Sequence, residues 1–183
     1  KFLCFSYTPR TKPYNFPINI SVHKIGPAFA SGNTSLFKPG PQNYLSAKML
    51  TDLCYEAGMP KETFQIVNPD IATMSELVKS SHVNCISFTG GVVAARSISQ
   101  NAGFKKLLFE LGGNDPLIVM PDGDINLAVK TAINQRFGAA GQRCTACKKL
   151  FIHEKVYEDF KNILITEAKK LVIGYPTKKE TFV

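Results

Sequence analysis

Cys144 is the side chain best suited to covalent chemistry in this sequence. It follows a glycine-rich loop, 137–141, and such a loop lets the backbone approach a bound molecule closely. Arg143 precedes it directly, and an adjacent cation favours a thiolate, which attacks carbonyl carbons well. A buried and inert cysteine is the alternative, and the local sequence alone does not decide between the two interpretations.

Cys144 and Cys147 form a Cys-x-x-Cys pair for which three interpretations stay open. A zinc site needs two more ligands, and the histidines are scattered at His23, His82 and His153. A thioredoxin-type motif should open a helix, whereas a strand is predicted after this pair. Chance proximity is the third interpretation, and a reversible disulfide that controls the thiol of Cys144 is a related hypothesis.

Two polar residues could assist a thiol nucleophile. Glu110 ends the apolar run 107–109, and a carboxylate that is partly desolvated at a strand end suits a general base. Asn15 lies in the apolar turn 13–17, where its amide could donate to a developing oxyanion. The alternatives are a solvent-exposed acid and an ordinary turn asparagine.

Two further segments could bind phosphate or ribose groups. Gly90 and Gly91 follow the run 84–88 and resemble a phosphate-binding turn at a helix N-terminus. They do not complete the Gly-x-Gly-x-x-Gly fingerprint, so the signal is weak by itself. Lys38 closes another short apolar run and could reach a ribose or a phosphate, or could be a surface lysine.

The hydrophobic pattern predicts the scaffold that would position these residues. Strands alternate with helices up to Gly113: strands are predicted over 1–7, 34–38, 64–67, 83–88 and 106–111, and helices over 45–57, 74–79 and 91–100. This alternation predicts a doubly wound parallel sheet, in which ligands bind beyond the carboxyl ends of the strands. Lys38, Gly90 and Glu110 all lie at such ends.

A second α/β domain is predicted to begin after Gly113, which divides the chain into 1–112 and 113–183. Asp122 is predicted to cap a helix that buries Ile125, Val129 and Ile133. The predicted elements of this domain are strands over 117–120 and 150–153, a loop over 138–145 and a second helix over 155–171.

The composition, 44% hydrophobic and 20% charged, is that of an ordinary globular protein, and no apolar run is long enough for a membrane span. The net charge of +8 is spread along the chain, which argues against a nucleic-acid surface and fits a mild attraction for anionic cofactors or substrates. Five irregularly spaced cysteines predict no disulfide framework and a cytoplasmic location.

Together these segments resemble the aldehyde dehydrogenase superfamily in order and spacing across essentially the whole chain. The motifs that carry the resemblance are Pro13-Tyr14-Asn15-Phe16-Pro17, Lys38-Pro39, Phe88-Thr89-Gly90-Gly91, Glu110-Leu111-Gly112-Gly113 and Gly141-Gln142-Arg143-Cys144-Thr145-Ala146. The run 109–116 is similar to that of members that act on phosphonoacetaldehyde or other small anionic aldehydes.

The resemblance implies a Rossmann-like NAD(P)-binding domain over 1–112 and the start of a catalytic domain over 113–183. It implies that Cys144 attacks an aldehyde, that Asn15 and the Cys144 backbone N–H stabilise the oxyanion, and that Glu110 activates water to hydrolyse the thioester. A glutamate here is typical of the hydrolytic branch rather than the CoA-acylating one. NAD or NADP is expected to contact Lys38, Thr89, Gly90, Gly91 and Leu111.

The sequence also departs from the family pattern. Residues 8–12 look inserted before the Asn15 motif. Pro41 stands where NAD-preferring members often carry a glutamate, and the absence of that carboxylate would accommodate the 2′-phosphate of NADP. Gly91 and Ala95 replace the usual serine and glycine of the phosphate turn. Because family members are much longer, we expect this chain to be the central part of a homodimeric or homotetrameric enzyme. We expect the 183-residue chain by itself to be inactive or poorly folded. A non-catalytic nucleotide-binding or assembly fragment is the alternative.

Overall fold

The structure, a computed structural model, describes residues 2–5 and 15–183. It divides into two compact units, Lys1–Leu111 and Gly112–Val183. Residues 8–12, in which the sequence predicts an insertion, and Pro13 and Tyr14 of the Asn15 motif lie outside the described residues.

The first unit contains a five-stranded parallel sheet with the order β3-β2-β1-β4-β5. Its strands are β1 (Phe2–Phe5), β2 (Ser35–Lys38), β3 (Phe64–Ile66), β4 (Cys85–Thr89) and β5 (Lys106–Glu110). Its helices are α1 (Asn19–Ala30), α2 (Tyr44–Glu56), α3 (Ile71–Lys79) and α4 (Val92–Asn101). The predicted α/β parallel fold is therefore confirmed.

Two apolar clusters cover opposite faces of this sheet. Ile86 and Phe88 of β4 are fully buried and pack with residues of α3 and α4, among them Met74 and Ile98. Phe37 of β2 belongs to the other cluster, with residues of α1, α2 and β3. Successive side chains of a strand point to opposite faces, and β2 shows this directly: Leu36 packs against the cluster of Ile86 and Phe88, whereas its neighbour Phe37 belongs to the other. Burial on both faces explains why the parallel strands read as continuous apolar runs.

Helix α1 is absent from the prediction because its sequence carries few helix signals. Gly26 and Pro27 lie inside it, and its first turn has neither a side-chain cap nor an acidic residue. Only one narrow face is buried, and it contains polar as well as apolar residues: Ser21, Lys24, Ile25 and Ala28.

The second unit contains a two-stranded parallel sheet formed by β6 (Asp115–Val119) and β7 (Cys147–Ile152). Helices α5 (Ile125–Phe137) and α6 (Tyr157–Ala168) pack on it through a cluster centred on Val119, Val129 and Phe160. Strand β7 begins at Cys147, three residues before the predicted start.

The prediction that Asp122 caps α5 is wrong. Asp124 is the capping residue, and its carboxylate accepts a hydrogen bond from the N–H of Leu127 over 3.0 Å. Asp122 instead lies in a turn that the Gly123 N–H closes on the Met120 carbonyl. A side chain can cap a helix only from the residue directly before its first helical turn. Because the chain forms a separate turn at 120–123, α5 begins later, and the capping position falls on Asp124 instead of Asp122.

No helix in the ranges 2–5 and 15–183 is both long and apolar enough to cross a membrane.

Candidate active site

The carboxyl edge of the first unit's sheet gathers three of the predicted site residues. Lys38 ends β2, Thr89 ends β4 and Glu110 ends β5. Thr89 and Glu110 are register partners on adjacent strands. Lys38 is the register partner of Phe5 in β1, which lies between β2 and β4, so Lys38 and the end of β4 are separated by two strand spacings, roughly 10 Å. Ligands bind at this edge in doubly wound sheets.

Lys38 is buried, with 2% of its surface exposed. Its Nζ donates to the carbonyl oxygen of Pro39 over 3.1 Å, and burial lowers the pKa of its ammonium group. The sequence left open whether this residue is a surface lysine, and its burial excludes that alternative. A buried cation at the ligand-binding edge is a suitable partner for a polar or anionic ligand group.

Thr89 has a hydroxyl group that is buried and has no hydrogen-bond partner within the described part of the chain. Gly90 follows it, and the Gly90 N–H donates to the Glu110 carbonyl over 3.1 Å. Helix α4 then begins at Val92, with Gly91 in an extended conformation and no side-chain cap. An unpaired buried hydroxyl beside an uncapped helix N-terminus provides donors that a ligand oxygen can satisfy.

Glu110 is exposed, so the expected partial desolvation of its carboxylate is wrong. Its strand, β5, is the outermost strand at one edge of the sheet, and alternate residues along it are exposed. Leu111 is half-buried and packs against the apolar cluster that contains Phe88. Asn15 is half-buried in the bend that precedes α1, and the neighbouring Phe16 has a φ of +64°.

A cavity of about 710 Å³ in the first unit has Glu110 in its wall. Lys24 of α1 also lines it, is 6% exposed and donates from Nζ to the hydroxyl oxygen of Ser87 over 2.9 Å. The sequence did not single out Lys24, because a lysine in a segment without helix signals is indistinguishable from a solvated one.

In the second unit, the backbone of the loop before Cys144 is unusual. Ala139, Ala140 and Gly141 are consecutive left-handed residues, with φ values of +54°, +54° and +70°. The left-handed region costs an L-residue other than glycine roughly 1–2 kcal/mol. A Cβ on Gly141 would lie 2.8 Å from the Arg136 carbonyl oxygen, so this position requires glycine. The loop leads to Cys144, which is exposed, whereas Cys147 is 7% exposed.

The exposure of Cys144 removes the alternative of a buried, inert thiol. Cys147 instead donates from Sγ to the Lys149 carbonyl over 3.3 Å as the first residue of β7. A regulatory disulfide between Cys144 and Cys147 stays a prediction. Within residues 2–5 and 15–183, no three His, Cys, Asp or Glu side chains are grouped as a metal site.

Sequence reasoning missed Lys148, which contacts the backbone of the nucleophile segment. Its Nζ donates to the carbonyl oxygens of Cys144 and Ala146, each over 2.9 Å, and lies 3.9 Å from Oδ2 of Asp115. The Lys148-Lys149 doublet reads as a solvated pair in the sequence. The Lys148 ammonium donates to backbone carbonyls, and because every residue has a carbonyl, the sequence does not indicate these bonds.

The sequence model described as the aldehyde dehydrogenase family matches residues 11–183. The chain belongs to this family. It is 60% identical over 171 residues to the sulfoacetaldehyde dehydrogenase of Neptuniibacter caesariensis, an alignment that covers 93% of this chain and 38% of that protein. It is 40% identical over 175 residues to a lactaldehyde dehydrogenase of Methanococcus maripaludis, with 92% of this chain and 37% of that protein covered.

Solved aldehyde dehydrogenase structures have the same fold. The NADP-dependent glyceraldehyde-3-phosphate dehydrogenase from Bacillus halodurans C-125, complexed with NADP, superposes with a TM-score of 0.87 at 32% identity. That match covers 100% of this chain and 37% of the other. The chain therefore spans less than two fifths of the length of these family members.

Proposed function

We propose that the protein to which this chain belongs oxidises a small anionic aldehyde to the carboxylic acid with NAD(P)⁺, with Cys144 as the nucleophile. The observation that carries the proposal is the exposed thiol of Cys144 at the end of a left-handed loop, within the segment that the family model matches. The left-handed conformations of Ala139 and Ala140 lower stability, and such backbone outliers concentrate at functional sites.

In the proposed reaction, the Cys144 thiolate forms a bond to the aldehyde carbon, and the carbonyl electrons move to oxygen. The Cys144 backbone N–H and the Asn15 amide donate to this oxyanion and stabilise it. A bound NAD(P)⁺ would supply the acceptor for the hydride. Once the hydride has left and the carbonyl has re-formed, Cys144 carries the thioester. Glu110 takes a proton from water, the resulting hydroxide adds to the thioester carbon, and cleavage of the carbon–sulfur bond releases the acid and the thiolate.

Two residues and one helix N-terminus of the first unit support the cofactor assignment. The buried Thr89 hydroxyl lacks a partner in the described chain, and Lys38 places a cation at the same edge. We propose that the cofactor phosphates occupy the turn at Gly90 and Gly91, with the ribose near Lys38 and the nicotinamide end near Leu111. The uncapped N-terminus of α4 favours the negative charge of a diphosphate.

Pro41 supports NADP rather than NAD as the preferred cofactor. It is exposed as the first residue of a short 3₁₀ helix, Pro41–Asn43, that follows Lys38 and Pro39. A carboxylate at this position would repel a 2′-phosphate, and proline carries no charge. Initial rates at varied concentrations of NADP⁺ and NAD⁺ give kcat/KM for each cofactor, and a higher kcat/KM with NAD⁺ would contradict the assignment.

We propose that the substrate carries a sulfonate, phosphonate or carboxylate close to the aldehyde. The positive charge of Arg143 beside Cys144, the net charge of +8 and the similarity to a protein named sulfoacetaldehyde dehydrogenase support this class. The complete gene product should form NADPH, followed at 340 nm, at least about tenfold more efficiently from sulfoacetaldehyde or phosphonoacetaldehyde than from neutral propanal. Equal kcat/KM values for anionic and neutral aldehydes would exclude it.

We also propose that the complete protein is a cytoplasmic homodimer or homotetramer, as is general for the family. Sedimentation of the purified protein measures this state, and a monomer at micromolar concentration would exclude it.

A further inference from the structure

The carbonyl group of Cys144 accepts a hydrogen bond from Lys148 and lies close to Gly113. The Lys148 ammonium donates to this oxygen and to the Ala146 carbonyl, so one cation bridges both ends of the segment 144–146. A Cβ on Gly113 would lie 2.9 Å from the same oxygen. The Cys144 carbonyl therefore lies against a position where only glycine fits.

Asp115 lies close to the same ammonium group, and its side chain is partly exposed. Its Oδ2 lies 3.9 Å from the Lys148 Nζ, is buried, and has no hydrogen-bond partner among the residues described. A Cβ on Gly113 would lie 3.0 Å from either carboxylate oxygen of Asp115. A buried carboxylate oxygen without donors favours a nearby cation, and Lys148 supplies it. The start of β6 thus connects to the nucleophile through one lysine on β7.

The loop before Cys144 needs such a restraint. The left-handed conformations of Ala139 and Ala140 are unfavourable for alanine, so the loop would relax unless its surroundings fixed it. Charge-assisted hydrogen bonds to two carbonyls, with an ammonium that a carboxylate anchors, provide a restraint directly at the nucleophile.

We propose that Lys148, anchored by Asp115, is a positioning residue: it fixes the Cys144 backbone and thereby directs both the Sγ atom and the backbone N–H toward the substrate carbonyl. This inference rests on the proposed function of Cys144. Lys148 itself does not contact the reacting atoms through these bonds, and its effect is exerted through the Cys144 carbonyl.

The test replaces Lys148 by methionine in the complete gene product, which keeps the aliphatic stem and removes the ammonium group. The expected result is a fall in kcat of about 10- to 100-fold with KM changed less than about threefold, because a small displacement of a nucleophile lowers the rate of attack. Lys148→Arg should restore most of kcat, since a guanidinium also donates to two acceptors. Lys149→Met, an exposed neighbour on the same strand, is the matched control and should keep wild-type kcat.

Two further measurements separate this proposal from the proposed function. The rate of Cys144 alkylation by iodoacetamide, read by peptide mass spectrometry, needs no turnover and should fall at least fivefold in Lys148→Met but not in Lys149→Met. Asp115→Asn, which keeps the size of the side chain, should reproduce a smaller loss of the same kind if Lys148→Met fails to fold. The positioning role is wrong if kcat and alkylation in Lys148→Met match the control, or if Asp115→Asn changes neither. Failure of the wild-type protein to oxidise any aldehyde, with alkylation still dependent on Lys148, would reject the proposed function alone.

Discussion

Thr89 and Glu110 are register partners at the carboxyl ends of adjacent parallel strands, and the N–H that follows Thr89 donates to the Glu110 carbonyl oxygen over 3.1 Å. This arrangement fixes the buried Thr89 hydroxyl beside the strand end that carries Glu110. The hydroxyl has no protein partner among the residues that the structure describes. In doubly wound sheets ligands bind at this edge, and we expect a cofactor group to be the partner of this hydroxyl.

Thr89→Val should weaken cofactor binding by about tenfold, because one hydrogen bond to a charged ligand group is lost. The free energy of unfolding without cofactor should be unchanged or higher, since the variant removes an unsatisfied buried hydroxyl. Isothermal titration of the complete protein with NADP⁺ and chemical denaturation measure the two quantities.

Thr51→Val is the control for that variant. Thr51 is also buried, but its hydroxyl donates to the Ala47 carbonyl within α2 over 2.8 Å. Its loss should lower the unfolding free energy by up to about 1 kcal/mol and leave cofactor affinity unchanged. Equal cofactor affinity in wild type and Thr89→Val would show that the hydroxyl does not contact the cofactor.

Glu110→Gln should allow one round of NADPH formation and then lower the steady-state rate at least about 100-fold. The reason is that an amide cannot take the proton of the water that hydrolyses the thioester. Stopped-flow absorbance should show a burst of about one NADPH per Cys144, followed by a slow phase. Glu56→Gln, at the end of α2 and exposed like Glu110, is the control and should behave as wild type. An unchanged steady-state rate in Glu110→Gln would remove Glu110 from the mechanism.

Gly141→Ala should be more harmful than Gly32→Ala, the same substitution at another left-handed glycine. Gly32 has nearly the same φ, +73°, but a Cβ there has open space, whereas on Gly141 it would lie 2.8 Å from the Arg136 carbonyl. Both variants should lose roughly 1 kcal/mol for the left-handed alanine, and only Gly141→Ala should add the clash and lower kcat. Thermal unfolding and initial rates measure this difference, and equal losses in both variants would contradict the loop geometry.

Asp124→Ala should lower the unfolding free energy by about 1 kcal/mol, because the cap of α5 is lost. Asp122→Ala removes an equal charge two residues away and should change stability by less than about 0.5 kcal/mol. Urea denaturation of both variants compares the two positions. A larger loss of unfolding free energy in Asp122→Ala than in Asp124→Ala would indicate that Asp122 caps α5, as the sequence predicts.

The two aspartates also show which features a sequence can predict. The alternation of apolar runs predicts the strands and most helices, because parallel strands must be buried on both faces. The capping residue depends on a turn at Gly123 that the pattern does not display. Leu45 and Met49 have helical spacing and do lie in α2, but they are exposed, and the buried residues of that helix are Ala47 and Thr51. Spacing predicts a helix, and only tertiary packing decides which face is buried.

The candidate site shows a similar division. Cys144, Glu110 and Thr89 could be predicted because each lies in a motif that is recognised by residue type and by order along the chain. Lys148 and Lys24 could not be predicted, because their partners are two carbonyl groups and a serine that come near them only in the folded chain.

The central claim is that Cys144 forms the thioester, and trapping that thioester tests it most directly. The Glu110→Gln protein is mixed with NADP⁺ and sulfoacetaldehyde, quenched in acid, digested and examined by mass spectrometry. We predict an acyl adduct on the Cys144 sulfur, retained in a Glu110→Gln, Cys147→Ser variant and absent when Cys144 is replaced by serine. An adduct on Cys147, no adduct on Cys144 although NADPH forms, or wild-type turnover by Cys144→Ser would contradict the account.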